Sequence, residues 1–162
     1  MTEARPDSLA DRPTSFPWPP VLLVTSVVAA WVLQRLVPLP WPGMDDLASR
    51  IAGLGLGLAG ILLMAWSIIT LRRARTTVMP NEAATNLVTD GPFRFRRNPI
   101  YLADMLILLG IAELMGNIWL VLLTPVFGLL VTWLAIIPEE RHLEARFGDE
   151  YRVYKERTRR LI

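Results

Sequence analysis

The sequence predicts an all-α, multi-pass membrane protein with about four transmembrane helices, a C-terminal helical hairpin and amphipathic helices on the cytoplasmic side. Of the 162 residues, 52% are hydrophobic and 20% are charged, and the mean hydropathy is +0.37. The apolar residues form long runs almost free of charge, and the charged residues cluster between these runs, as in membrane proteins. The chain has no cysteine and one histidine, which excludes disulfides, thiolate metal sites and a cysteine nucleophile.

The first half of the chain holds a polar tail and two apolar runs. Residues 1–20 are polar and proline-rich without the pattern of a cleavable signal peptide, so we expect a flexible cytoplasmic tail before one membrane domain, 21–162. A first span is expected near 21–37, where Arg35 can reach the interface. A second, near 51–71, carries no charge and is long enough to cross about 30 Å of hydrocarbon.

The second half holds two further runs. Spans are expected near 100–116 and 118–137, and the short link between them predicts a helical hairpin. The basic interval 72–97 and a charged C-terminal cap, 138–162, then lie on the same side as the tail. By the positive-inside rule, both termini are expected in the cytoplasm, with the spans in the inner cell membrane. Arginines at a membrane surface account for the basic composition, so no nucleic-acid partner is expected.

Glycines within the second span form a motif with two interpretations. Residues 55–60 match G-x-G-x-x-G, a dinucleotide-binding fingerprint, but that motif requires a strand before it. Inside a span, Gly53, Gly57 and Gly60 instead predict a small-residue face that lets another helix approach closely. The approaching helix could belong to this chain or to a second copy.

The segment before the third span carries a candidate binding site. Asn98 and Pro99 suit the N-cap and the first position of a helix. The free N–H groups of that helix, beside Arg97, favour an anion. Tyr101 and Asp104 project from the same face, and an acid at this depth requires a polar cavity or a partner. Alternatively, the arginines are topology anchors that contact lipid phosphates.

The C-terminal cap contains a second candidate segment. A helix that continues the last span is expected to start at Pro138 and to stop near Gly148, where a new helix is capped. Apolar and aromatic residues at helical spacing form a stripe that can lie on the membrane or fold over the hairpin: Leu143, Phe147, Tyr151 and Tyr154. Alternatively, the segment is an amphipathic helix stabilised by Glu–Arg pairs that include Glu144 and Arg152.

These two segments resemble the motifs of integral-membrane methyltransferases related to isoprenylcysteine carboxyl methyltransferase and to phospholipid N-methyltransferases. The resemblance rests on VTDGPFR at 88–94, RNPIYL at 97–102, Glu139-Glu140, FGDEYRVY at 147–154 and Arg157, and it covers roughly the C-terminal half. It implies an S-adenosylmethionine site at the cytoplasmic end of the last spans. The C-terminal segment would close this site, and a lipophilic methyl acceptor would arrive from the bilayer.

The resemblance implies roles for individual residues. Those expected to bind the cofactor are Asn98, Pro99, Tyr101, Leu102, Glu140 and Tyr151, and those expected to act in catalysis are Glu140, Arg157 and Arg97. Methyl transfer requires no metal, and none is expected. A carboxylate acceptor would be oriented by Arg97 or Arg157, whereas an amine or thiol would give a proton to Glu140. Asn98 stands where the prenylcysteine enzymes have histidine, and an amide does not titrate near neutral pH.

Two other functions remain open at this stage. A non-enzymatic membrane protein that binds partner subunits or anionic lipid would place Arg97, Asn98, Tyr101 and Glu140 in separate environments. An NADPH-dependent membrane reductase of related fold would need a phosphate-binding patch. The oligomeric state and the identity of the methyl acceptor stay undetermined.

Overall fold

The computed structural model describes residues 16–42, 46–78 and 84–161, so most of the expected tail lies outside the described residues. These residues are mainly helical and contain no β-strand, which confirms the all-α prediction. The six helices are α1 (Trp18–Leu36), α2 (Leu47–Arg73), α3 (Pro99–Met115), α4 (Ile118–Val131), α5 (Ile137–Phe147) and α6 (Asp149–Arg157).

Three described helical segments are long and apolar enough to cross a membrane: Trp18–Leu36, Leu47–Arg73 and Ile118–Phe147. The last contains α4, a π-helical turn at Thr132–Ile136 and α5, and its 30 residues extend beyond the predicted end at residue 137. The helix continues through Pro138 because the wider turn comes just before the proline, which lacks an N–H and crowds the preceding turn. α3 has 17 residues, at the lower limit for a span.

The predicted small-residue face of α2 packs against α3 of the same chain. A Cβ atom on Gly57 would lie 2.9 Å from Cα of Gly110, and one on Gly60 would lie 2.8 Å from the carbonyl oxygen of Ala103. Gly55 has no atom within 4 Å of such a Cβ. Gly57 and Gly60 therefore serve a contact between α2 and α3 of the same chain. Because the glycine motif lies inside a helix, the dinucleotide-binding interpretation is excluded.

A short turn joins α3 to α4 and confirms the predicted hairpin. Gly116 ends α3 in the left-handed conformation, with φ 55°, and the side chain of Asn117 accepts a hydrogen bond of 3.0 Å from the backbone N–H of Trp119. Nδ2 of Asn117 donates to the carbonyl oxygen of Ala30 at 3.1 Å, which joins α1 to the hairpin. The core beside this turn is formed by Ala30, Leu108, Ala112, Leu120 and Phe127.

The C-terminal segment folds back over the start of α3. α5 ends at Phe147, Gly148 has φ 55°, and α6 follows, as the sequence predicts. Oη of Tyr154 donates a hydrogen bond of 2.7 Å to the carbonyl oxygen of Phe93. The backbone N–H of Arg97 donates one of 2.9 Å to the carbonyl oxygen of Arg159. The two tyrosines of the aromatic stripe are therefore buried inside the protein, whereas Leu143 and Phe147 are half-buried. On the outer surface, Glu144 pairs with Arg152 and Lys155, both at 3.2 Å, in agreement with the expected surface pairing.

Candidate active site

A cavity of ≈ 310 Å³ lies where the starts of α1 and α3, the end of α2, α5 and α6 meet. Its polar lining comes from the segment before α3 and from α3, α5 and α6: Arg97, Asn98, Tyr101, Asp104, Glu139, Glu140 and Tyr151. Its apolar lining includes Pro19, Pro20, Leu23, Leu71 and Ile100. The lining therefore combines charged groups with apolar side chains from α1, α2 and the segment between α2 and α3.

The start of α3 contributes the polar residues closest to the C-terminal segment. Asn98 occupies the N-cap position and Pro99 the first helical position, as predicted. However, the Asn98 side chain does not cap the helix. Its Nδ2 instead donates at 3.1 Å to the carbonyl oxygen of Arg160, because the chain after α6 runs beside the start of α3 and presents that oxygen. The expected side-chain cap is therefore wrong.

Glu140 is held between two guanidinium groups. Its Oε1 lies 3.2 Å from Nε of Arg97 and 3.0 Å from Nε of Arg160, and its Oε2 lies 2.7 Å from Nη2 of Arg160. The side chains of Glu140 and Arg97 are only 7% and 10% exposed. Nη1 of Arg97 also donates to the carbonyl oxygens of Lys155 and Thr158. This cluster fixes the chain after α6 against α5 and engages Nε and Nη1 of Arg97 with protein atoms.

Glu139 has a different environment from its neighbour. Its Oε2 accepts a hydrogen bond of 2.9 Å from Oη of Tyr101, a side chain that is 6% exposed. Asp104, one helical turn beyond Tyr101, also lines the cavity, as the sequence analysis expects of this acid. Neither Glu139 nor Asp104 has a cationic partner among the described residues. The cavity therefore contains two carboxylates whose charge is not neutralised by a neighbouring guanidinium.

Tyr151 presents an unpaired hydroxyl group in the same region. Its side chain is 1% exposed, and Oη has no hydrogen-bond partner within the described part of the chain. Burial raises the pKa of Tyr151, so the phenol is neutral and can donate or accept a hydrogen bond. A buried polar group left unpaired costs about 1–3 kcal/mol, so this hydroxyl indicates a position for a polar ligand atom. Burial also raises the pKa of Tyr154, whose hydroxyl has a protein partner.

Most of the predicted site residues meet at this cavity: Arg97, Asn98, Pro99, Tyr101, Glu140 and Tyr151. Leu102 and Arg157 do not line it. Leu102 follows Tyr101 on a helix, where successive side chains point about 100° apart. Arg157 is exposed at the end of α6, and the position against Glu140 is taken by Arg160, because the chain leaves the helix and turns back after Thr158.

Sequence patterns predicted no site role for Arg160 and no role for Glu139 distinct from that of Glu140. The only sequence signal for Arg160 is its place in the terminal run RTRR, where spacing cannot say which arginine turns inward. Glu139 and Glu140 are adjacent and chemically identical, so their different partners depend on tertiary packing. A non-enzymatic membrane protein was expected to hold Arg97, Asn98, Tyr101 and Glu140 in separate environments. All four line one cavity, which contradicts that expectation. The arginine that lines it within the described part of the chain is Arg97, which pairs with Glu140.

The chain is similar to known proteins over the part that contains α3 and α5. A family model described as phospholipid methyltransferase matches residues 48–150, which contain α2, α3 and both glutamates. A protein of Haemophilus influenzae described as uncharacterized is 43% identical over 63 residues, which represent 39% of this chain and 100% of that protein. No solved structure matches this chain.

Proposed function

We propose that this chain, which belongs to the phospholipid methyltransferase family, transfers a methyl group from S-adenosylmethionine to the amine of a lipophilic acceptor. Family membership indicates a methyltransferase of the membrane. The cofactor, the acceptor and the residues that bind them are the proposal. The observation that supports it best is the unpaired Tyr151 hydroxyl, buried in a cavity that also holds uncompensated carboxylates.

The polar lining fits the chemical groups of S-adenosylmethionine. Bound there, the cofactor supplies a methyl group on a positively charged sulfur. The free N–H groups at the start of α3 suit its carboxylate. The hydroxyl of Tyr151 can bind a ribose or amino-acid oxygen. The cavity volume of ≈ 310 Å³ is within the range of about 300–1,000 Å³ typical of ligand pockets.

The charges in the cavity favour an amine as acceptor over a carboxylate. A carboxylate needs a cation to orient it, but Arg97 is already bound to Glu140 and to two carbonyl oxygens, and Arg157 lies outside the cavity. A thiolate also favours a positive environment. An ammonium group, in contrast, is attracted by Asp104 and Glu139. The acceptor class therefore follows from which charges are left without a partner.

The apolar wall favours an acceptor with a hydrocarbon chain. Pro19, Pro20 and Leu23 of α1 and Leu71 of α2 line the same cavity as the polar residues. Both helices are apolar enough to cross a membrane. A lipid chain can therefore contact this wall while its head group lies beside the carboxylates. Since methyl transfer is an in-line displacement, holding both ends of the acceptor lowers the barrier by orientation.

Ligand titration tests the cofactor site. S-adenosylhomocysteine is added to the purified full chain in detergent, and the unfolding temperature is measured. A ligand at 100 times its Kd stabilises the folded state by about 2.7 kcal/mol, so the unfolding temperature is expected to rise. Tyr151→Phe is expected to weaken this binding about tenfold, whereas Arg152→Ala, on the exposed face of α6, leaves it unchanged. Folded protein that shows no ligand-dependent shift contradicts the proposed cofactor.

Methylation of vesicles tests the acceptor. Vesicles containing a phospholipid with a primary-amine head group are incubated with the protein and radiolabelled S-adenosylmethionine. Label is expected in the lipid fraction, and matched vesicles whose phospholipid carries a carboxylate but no amine are expected to stay unlabelled. Labelling of the carboxylate lipid alone contradicts the proposed acceptor class.

A further inference from the structure

We infer that Glu139 is the group that accepts the proton of the amine acceptor, and that Tyr101 positions its carboxylate. This inference rests on the proposed function, because it names the residue that prepares the amine for attack. It differs from the sequence-based expectation, which gave the proton to Glu140. The observation behind it is that two adjacent glutamates of α5 line one cavity but bind opposite kinds of partner.

Glu140 is poorly suited to take a proton. Both of its oxygens lie within 3.2 Å of guanidinium nitrogens, from Arg97 and Arg160. Protonation of its carboxylate would leave Arg97, which is 10% exposed, without its counter-charge. Removing one partner of a buried ion pair typically costs about 3–5 kcal/mol. Glu140 therefore holds the site together rather than exchanging protons.

Glu139 meets the geometric requirements for proton transfer. Its Oε2 accepts one hydrogen bond, from Tyr101 at 2.9 Å, and Oε1 accepts none from the described residues. One oxygen is thus fixed while the other is available to an ammonium group in the cavity. A general base must lie within hydrogen-bond reach of the proton that it takes, and the fixed orientation of Glu139 favours that contact.

Other titratable or charged groups line the same cavity: Arg97, Tyr101, Asp104, Glu140, His142, Tyr151 and Tyr154. Among these, Asp104 is the alternative proton acceptor, because it also lacks a cationic partner among the described residues. No hydrogen bond within the described part of the chain fixes its carboxylate, in contrast to Glu139. We therefore assign Asp104 to attraction of the ammonium and Glu139 to removal of the proton.

The chemical step balances with this assignment. The ammonium group of the acceptor gives one proton to the carboxylate of Glu139 and becomes a neutral amine. The nitrogen lone pair then forms the new N–C bond as the C–S bond breaks, and the electron pair of the broken bond stays on sulfur. The positive charge moves from sulfur to the methylated nitrogen. Glu139 afterwards releases its proton to solvent.

A pH series distinguishes a proton acceptor from a merely structural residue. Methylation of primary-amine phospholipid vesicles is measured between pH 6 and pH 9 for wild type, Glu139→Gln, Tyr101→Phe, Asp104→Asn and Glu144→Gln. Glu144, on the exposed side of the same helix, is the matched control. S-adenosylhomocysteine affinity is measured for each protein by its thermal shift. These binding data separate loss of the cofactor site from loss of proton transfer.

Glu139→Gln is expected to lower the methylation rate on the order of 100-fold near neutral pH, with cofactor-analogue affinity within about threefold of wild type. Its deficit is expected to shrink as the pH rises, because the amine then loses its proton to water. Tyr101→Phe is expected to lower the rate about tenfold, since the carboxylate remains but is no longer oriented. Glu144→Gln is expected to match wild type. Glu139→Asp, which retains a carboxylate one methylene shorter, is expected to lower the rate less than Glu139→Gln near neutral pH.

Four results would overturn the inference. A Glu139→Gln deficit that is the same at every pH indicates a structural role. A pH-dependent recovery in Asp104→Asn, and not in Glu139→Gln, assigns the proton to Asp104. A rate near neutral pH that is as low in Glu139→Asp as in Glu139→Gln shows that a carboxylate at this position does not accept the proton. If the wild type binds S-adenosylhomocysteine but methylates no amine lipid at any pH, the proposed cofactor is supported but the reaction has no amine proton for Glu139 to accept. Failure of wild type to bind the analogue instead contradicts the proposed function itself.

Discussion

Glu140 and Arg160, separated by 20 residues in the chain, form a two-point ion pair with distances of 3.0 and 2.7 Å. Arg160 also accepts a hydrogen bond from Asn98 through its carbonyl oxygen. One residue after α6 thus contacts both the start of α3 and the middle of the polar lining. The segment after α6 is therefore anchored to residues that line the candidate active site.

Removing the Arg160 side chain is expected to destabilise the protein more than removing that of its neighbour. Arg160→Ala leaves Glu140 with Arg97 alone, and because the Arg160 side chain is 42% exposed, solvent partly replaces it. We expect a loss of about 1–2 kcal/mol in the free energy of unfolding, below the value for a fully buried pair. Arg159→Ala is the control. The side chain of Arg159 is exposed, and the hydrogen bond that this residue accepts from Arg97 uses its carbonyl oxygen, which alanine retains. Thermal unfolding in detergent measures both variants, and equal unfolding temperatures would contradict a stabilising role of the Arg160–Glu140 ion pair.

The contact between α2 and α3 predicts opposite effects for two glycines in one helix. In Gly57→Ala the new methyl group would lie 2.9 Å from Cα of Gly110, and backbone cannot yield as a side chain can. We expect a loss of about 1–3 kcal/mol in the free energy of unfolding. In Gly55→Ala the methyl group meets nothing within 4 Å, and alanine favours the helix by up to about 1 kcal/mol.

The same denaturation experiment compares the two alanine variants. Gly55→Ala is expected to unfold at the wild-type temperature or above it, and Gly57→Ala below it. Equal behaviour of the two variants would mean that the helices do not approach each other through Gly57. A concentration series excludes a dimer contact as the reason, because an intrachain contact gives an effect independent of protein concentration.

Asn117 is expected to be the most sensitive polar residue at the end of the hairpin opposite the cavity. Asn117→Ala removes the cap of α4, worth about 1 kcal/mol, and also the buried hydrogen bond to Ala30, worth about 1 kcal/mol. Asp46 caps α2 in an exposed position, where hydrogen bonds from Ser49 lower its pKa. Asp46→Ala is therefore expected to cost only the cap. A loss in Asn117→Ala no greater than in Asp46→Ala would contradict the link between α1 and the hairpin.

The helices of this fold could be predicted from sequence because each is specified by local pattern. Apolar runs of span length locate α1, α2 and the α3–α4 hairpin, and Gly53, Gly57 and Gly60 identify the face of α2 that packs. The continuation of the last span into a helix from Pro138 could also be predicted. The π-helical turn that precedes Pro138 could not, because this irregular hydrogen-bonding pattern has no simple sequence signature.

The sequence predicted which residues lie at the candidate site better than it predicted which atoms each of them contacts. Tyr101, Glu140 and Tyr151 meet at one cavity because two short motifs each place their residues at the same ends of neighbouring helices. Their partners depend on the return of the chain after α6, which decides that Arg160, and not Arg157, reaches Glu140. No periodicity encodes such a contact between irregular segments.

Burial of two tyrosines predicts a loss of stability at alkaline pH. The pKa of Tyr151 and that of Tyr154 are raised by burial in the folded state, whereas in the unfolded chain both titrate near the ordinary value of about 10. Below pH 10 both states are protonated and this contribution is constant. Above pH 10 only the unfolded chain loses the protons, so the free energy of unfolding falls by up to about 1.4 kcal/mol per pH unit for each tyrosine.

Tyr151→Phe isolates one of these contributions, because the Tyr151 hydroxyl has no hydrogen-bond partner to lose among the described residues. Unfolding is followed by circular dichroism between pH 9 and pH 12 for wild type and variant. Below pH 10 the variant is expected to be as stable as wild type or more stable, since an unpaired buried hydroxyl has been removed. Above pH 10 its stability is expected to decline less steeply, by up to about 1.4 kcal/mol per pH unit. Equal slopes for the two proteins would mean that Tyr151 titrates normally and is exposed to water.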